Sequence, residues 1–185
     1  MFRATCNLLP LVIILSVALP QIAGAQNTTA SSVDIDKKLE KLGHKLPKVR
    51  KSLAIYKRVV VVGKMAYLSG HISIDANGKI MKGKAGGDVS LRRAQLAAQR
   101  SGLAMLASLK HELGSLNKVK RLVKTTGMVN CTPDFTDQSK VINGCSQLFK
   151  DLWGEDNGVG ARAAVGMVSL PAGATVEIEA IFELK

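Results

Sequence analysis

Arg162 and Glu177 are the residues whose types and spacing invite chemistry: a planar guanidinium can hold an anion, and a carboxylate can move a proton. The stretch between them reads as two strands, 162–169 and 175–184, joined across Pro171-Ala-Gly173. Antiparallel pairing through that turn is expected to bring the two groups to one end of a sheet. Glu177 and Glu179 share a face by period two, while Val176, Ile178 and Ala180 turn the other way. On spacing alone, a surface ion pair worth about 0–1 kcal/mol is the simpler reading.

Other chemistry is poorly supplied. His44, His71 and His111 have no ligand spacing, so no metal is expected. Gly158-x-Gly160 does not follow a strand and open a helix, so it is no phosphate loop. Cys131 and Cys145 lack a neighbouring His and the C-x-x-C spacing of zinc or redox sites. They read either as a disulfide or as two separate buried thiols.

The elements that must position these groups follow from pattern. A short helix from Val33 places Ile35, Leu39 and Leu42 on one face, ended by Gly43 and Pro47. Two strand runs flank the turn Gly63-Lys64, and a second hairpin is expected over 72–81 around Asn77-Gly78. Asp88 is expected to cap a long helix whose apolar positions run from Leu91 to Leu113, ended by Gly114. Then come a strand over 119–129, a helix capped by Thr136 with Val141, Cys145, Leu148, Leu152 and Trp153 inward, and a loop over 154–160. The order β-β-β-α-β-α-β-β predicts an α+β domain with a mixed sheet and two long helices on one face.

A chain of 185 residues with 46% apolar and 22% charged residues fits one modest domain and excludes a multidomain enzyme. Residues 1–25 read as a secretory signal peptide: Arg3, an apolar run from Leu8 to Leu19 too short to span a bilayer, and the exit Ala23-Gly24-Ala25. Residues 26–50 read as a basic N-terminal arm and 51–185 as the domain. Cleavage near Ala25 would export the chain to the periplasm or beyond and remove Cys6, leaving an even pair. The formal charge of +12 is concentrated between Lys37 and Lys64, where ten basic residues face one acid, Glu40. That makes the charge a property of the arm, a solvated face with weak attraction to anionic surfaces, rather than a nucleic-acid footprint.

Several segments together resemble one family. They are Leu42-Gly-x-x-Leu46-Pro47, Leu68-Ser69-Gly70, Gly83-Lys84, Val119-Lys-Arg-Leu-Val-Lys124, Pro133-Asp-Phe135 and Val141-Ile-Asn143-Gly144. The densest are Arg162-x-Ala-Val-Gly166, Leu170-Pro171 and Val176-Glu-Ile-Glu-Ala180. In this order they resemble the reactive-intermediate deaminase (RidA, or YjgF) family, also described as endoribonuclease L-PSP, in its longer branch with an N-terminal arm.

The resemblance implies a chorismate-mutase-like α+β protomer, a homotrimer, and clefts between subunits that hydrolyse small 2-imino or 2-enamino acids to 2-keto acids and ammonia. It implies that Arg162 binds the carboxylate and Glu177 orients water, with Tyr56, Ser69 and Asn143 lining the cleft. The implied partner is a small imine or keto acid bearing a carboxylate. No cofactor is implied, because an imine carbon is already electrophilic and positioning plus one acid–base group can suffice. The longer branch often carries a histidine where this chain has Gly160, a polar residue at Ile55, and some deaminases a cysteine at Ala164. Two other readings stand beside the imine deaminase: a trimer that binds small carboxylates without turnover, and a ribonuclease or RNA-binding protein. The last lacks an aromatic platform and a pair of acid–base histidines.

Overall fold

The structure, a computed structural model, describes Met1 and residues 33–49 and 54–185. Beyond Met1, the expected signal peptide and residues 26–32 of the arm lie outside the described residues. Among the described residues no helix is long and apolar enough to cross a membrane.

Among the described residues the α-helices and strands follow in the order α1 (Ile35–Lys41), β1 (Val59–Val62), β2 (Met65–Ile72), α2 (Leu91–Leu113), β3 (Val119–Asn130), α3 (Gln138–Gly158), β4 (Ala161–Met167) and β5 (Val176–Leu184). The sheet order is β1-β2-β5-β3-β4, antiparallel except for the parallel pair β3/β4. A parallel pair needs a crossover, and α3 supplies it. Val176, Ile178, Ala180 and Phe182 of β5 are buried on one face of the sheet, where α2 and α3 cover them. Phe149 and Trp153 of α3 meet the Phe182 ring edge-on or tilted at 5.5 and 5.7 Å.

The expected pairing of the last two strands is not what forms. β3 lies between β4 and β5, and the chain from β4 crosses the end of β3 through Pro171–Gly173 before β5 begins. Main-chain bonds at this crossing, Cys131 N–H to Met167 O and Asn130 N–H to Thr175 O, seat the connection on both sides of β3. The expected hairpin over 72–81 shrinks to one bridge, Ile74 with Ile80, because Asp75 Oδ1 takes the N–H groups of Asn77 and Lys79 and closes the turn itself.

Helix ends shift in the same local way. Ser90, not Asp88, caps α2 by accepting from Arg93 N–H, while Asp88 binds Lys84 N–H across the preceding loop. Asp137 precedes α3 in place of Thr136, and α3 breaks at Gly154 (φ 78°) and then continues for another turn. The first helix is docked rather than free. Ile35 and Leu39 are buried, Asp36 pairs with Lys110 at 2.9 Å, and Asn117 binds both Ile35 N–H and Asp34. Leu42, expected on the inner face, is 42% exposed.

Candidate functional site

Arg162 stands on β4, the sheet edge, opposite Thr125 of β3 and so on the helix-covered side. Its Nη1 donates to Asn143 Oδ1 at 2.7 Å and to Ser146 Oγ at 3.0 Å. Asn143 and Ser146 are one turn apart on α3 and present both acceptors to one guanidinium nitrogen. The guanidinium is thus aimed while its remaining donors stay available to an anion. It borders a cleft of about 370 Å³ that Thr125, Ser146, Lys150 and Glu155 also line. Thr125 is 3% exposed, and its hydroxyl has no hydrogen-bond partner among the described residues.

Glu177 lies elsewhere. It pairs with Met128 on β3 and Ile72 on β2, on the sheet face that the helices leave bare. Sheet spacing puts its Cα about 14 Å from that of Arg162, since β3 intervenes and the two stand three residues apart along it. A single protomer therefore keeps the two groups on opposite faces.

The Glu177 side chain folds over Gly70. A β-carbon at Gly70 would come within 2.8 Å of Glu177 Cδ and 3.1 Å of Cγ, so only glycine leaves this space. The carboxyl is half-buried, and that burial, with a smaller contribution from the Glu179 charge, holds its pKa above the usual carboxylate range. Ser69, beside Gly70, donates from Oγ to Lys57 O at 2.6 Å and from N–H to Arg58 O at 3.0 Å. That ties it to the segment where Tyr56, 43% exposed, leads into β1. Ser69 and Glu179 also border a cleft of about 310 Å³ on the bare face, with Tyr67, Lys124 and Thr126.

The structure thus gathers the expected residues into two groups: Arg162 with Asn143, and Glu177 with Ser69 and its neighbour segment at Tyr56. The cysteines join neither and are both free thiols. Cys145 is buried against Gly102 of α2, whereas Cys131 sits beside Gly166 and Gln138 past the end of β3, so no disulfide forms. Burial pushes the Cys145 thiol far up, which disqualifies it as a nucleophile. Among the described residues no cluster of three or more His, Cys, Asp or Glu could hold a metal ion. Sequence reasoning missed Ser146, which three-residue spacing from Asn143 could have found. Gly70 stands in the Leu68-Ser69-Gly70 segment and His71 reads only as a histidine without metal-ligand spacing, but their places beneath and beside the Glu177 carboxyl depend on strand pairing that the sequence does not show.

The chain matches the model of the YjgF/chorismate mutase-like family over residues 36–175. It is 38% identical over 146 residues to Protein TCP17 of Trypanosoma cruzi, covering 79% of this chain and 91% of that protein. The solved structure of Agrobacterium tumefaciens Atu1372, described as of unknown function, superposes with a TM-score of 0.74 at 39% identity, covering 82% of this chain and 94% of that one. RidA from an Antarctic Psychrobacter superposes with a TM-score of 0.52 at 27% identity, covering 74% of this chain and 94% of that one. E. coli TdcF with bound serine shares the fold at 21% identity and a TM-score of 0.52, covering 76% of this chain and 94% of that one. With its mixed five-stranded sheet, its two long helices on one face and this match over most of its length, the chain belongs to the RidA/YjgF family.

Proposed function

We propose that this protein hydrolyses small 2-imino acids to 2-keto acids and ammonia, in clefts built between copies of the chain. The observation that carries the reading is the division of the chemistry. An aimed guanidinium sits at the sheet edge, and a desolvated carboxylate sits on the opposite face of the same sheet. One protomer cannot use both on one small molecule; a neighbour laying its bare face against this edge can. Exposed Val60, Tyr67 and Val165 on that face support burial against another copy, and a homotrimer closes such head-to-tail contacts. The serine held by TdcF is a ligand of fitting size and charge on the same fold.

In this mechanism Arg162 grips the substrate carboxylate and fixes the imine carbon near Glu177 of the adjoining copy. Glu177 accepts a proton from water as the oxygen bonds to that carbon and passes it to the imine nitrogen, giving a carbinolamine. It then takes the hydroxyl proton as the ketone forms and delivers it to the departing nitrogen as the C–N bond breaks, releasing ammonia. Tyr56 and Ser69 line the Glu177 side, and Asn143 steadies the arginine. Export after cleavage near Ala25 belongs to the proposal too, and N-terminal sequencing of the exported protein should start at Gln26.

The test is ammonia release from 2-iminobutanoate generated in place by an amino-acid oxidase. Glu177→Gln should abolish release while 2-oxobutanoate still binds, and Arg162→Ala should lose both. A parent protein that releases no ammonia from any imino acid tried, yet binds keto acids, is a carboxylate binder instead. RNA cleavage that survives both substitutions would point to a ribonuclease.

A further inference from the structure

Glu177 keeps its place only while Gly70 stays beneath it, so what holds Gly70 matters. In the β2/β5 ladder Leu68 pairs with Ala180 and His71 with Ile178, which leaves Ser69 and Gly70 together opposite Glu179. This is a β-bulge, and a bulge gives up ladder bonds that would otherwise fix the chain. Ser69 N–H and Oγ are anchored toward β1, but those bonds leave its carbonyl free to swing.

His71 takes that carbonyl. Its Nδ1 lies 2.6 Å from Ser69 O and its Nε2 2.8 Å from Ser108 Oγ on α2. A carbonyl only accepts, so Nδ1 carries the proton; Nε2 is then the acceptor and the Ser108 hydroxyl donates. The ring is 2% exposed and Ser108 5%. Burial, helped by the nearby Arg58 charge, outweighs the Ser69 bond and pulls the imidazole pKa down to about 4, so the ring is neutral and locked in one tautomer at ordinary pH. A continuous path runs from α2 through Ser108, His71 and the Ser69 carbonyl to the glycine under the carboxylate.

We propose that His71 is a positioning residue for Glu177, holding the Ser69–Gly70 bulge in the one shape that seats the carboxylate. The inference rests on the reading that Glu177 moves the proton, and it assigns a role to a side chain that touches no substrate.

Three variants test it in the imine assay: His71→Leu, His71→Asn and Ser108→Ala. Asparagine can place an N–H where Nδ1 stands but cannot reach Ser108; leucine does neither. His71→Leu should lower kcat about tenfold or more while KM, set by Arg162, stays within about twofold. His71→Asn should hold kcat within about threefold of the parent, the same loss as Ser108→Ala, because it keeps the Ser69 bond but loses the helix contact and some Tm. If His71→Leu does not fold, Ser108→Ala carries the test, with a drop in kcat of about threefold at unchanged KM. Unchanged kcat in the folded leucine variant overturns the proposal, as does equal loss of kcat in the leucine and asparagine variants. Glu177→Gln run alongside separates the two failures: if it keeps parental turnover, or the parent has none, the reading of Glu177 falls and this inference falls with it.

Discussion

On the proposed mechanism Glu177 must be ionised to take a proton from water, so its environment would set the acid limit of turnover. Burial and the Glu179 charge both raise its pKa, so turnover should fail on acidification at a pH above the ordinary carboxylate value of 4.5. Glu179→Gln removes the smaller cause, so the acid limb of kcat should move to lower pH yet stay above the ordinary range. A limb unmoved by that substitution would deny the coupling. His71 acts on stability with its own sign. Its folded pKa of about 4 lies below the usual 6.5, so as pH falls between these values the unfolded chain binds a proton that the fold refuses. Stability present above pH 6.5 is thus lost toward pH 4, by about 3 kcal/mol at full extent. Urea unfolding at stepped pH should show that slope, with a flatter course for His71→Asn. Thr125 presents the reverse case, a buried hydroxyl without a partner among the described residues. Thr125→Val keeps the shape and should raise stability by about 1 kcal/mol in the same measurement.

At the scale of elements, hydrophobic period identifies each long helix and each strand but does not say which strands become neighbours. Arg162 and Glu177 are legible as chemistry from type and alternation. Their separation is not, because it arises when β3 inserts between β4 and β5. The buried faces of α2 and α3 are legible because their apolar residues recur at helical spacing, whereas their caps are not: Ser90 takes Arg93 N–H while Asp88 turns to Lys84 N–H, and α3 begins after Asp137 with no side-chain cap bond. Gly160 shows how an element explains a residue. The β3/β5 register slips between Leu122 and Lys124, and the Val123 carbonyl there lies 2.8 Å from where a Gly160 β-carbon would stand. A histidine, which the longer branch of the family often carries at this place, cannot enter without pushing β4 from β3. Gly160→His should therefore cost about 1–3 kcal/mol in urea unfolding and weaken 2-oxobutanoate binding, because β4 carries Arg162. Full stability with full binding would show that β4 yields freely.

For the whole molecule, the opposite-face placement of Arg162 and Glu177 makes the proposed activity a property of the assembly. If each cleft takes Arg162 from one copy and Glu177 from the next, the two inactive variants can repair each other. An Arg162→Ala subunit still offers Glu177, and a Glu177→Gln subunit still offers Arg162. When the two are unfolded, mixed in equal amounts and reassembled as trimers, a cleft is intact only where the right members meet in the right order. Random assembly then restores about a quarter of parental turnover. Neither variant reassembled alone should show any. Sedimentation should find the trimer in all three samples, which separates loss of a group from loss of assembly. If the mixture stays as inactive as its components while trimers form, both groups act within one chain, and the sheet would have to rearrange to bring them to one face. If the mixture recovers, each cleft draws its guanidinium, Arg162 held at 2.7 Å by Asn143, from one copy and its carboxylate, Glu177, from the next.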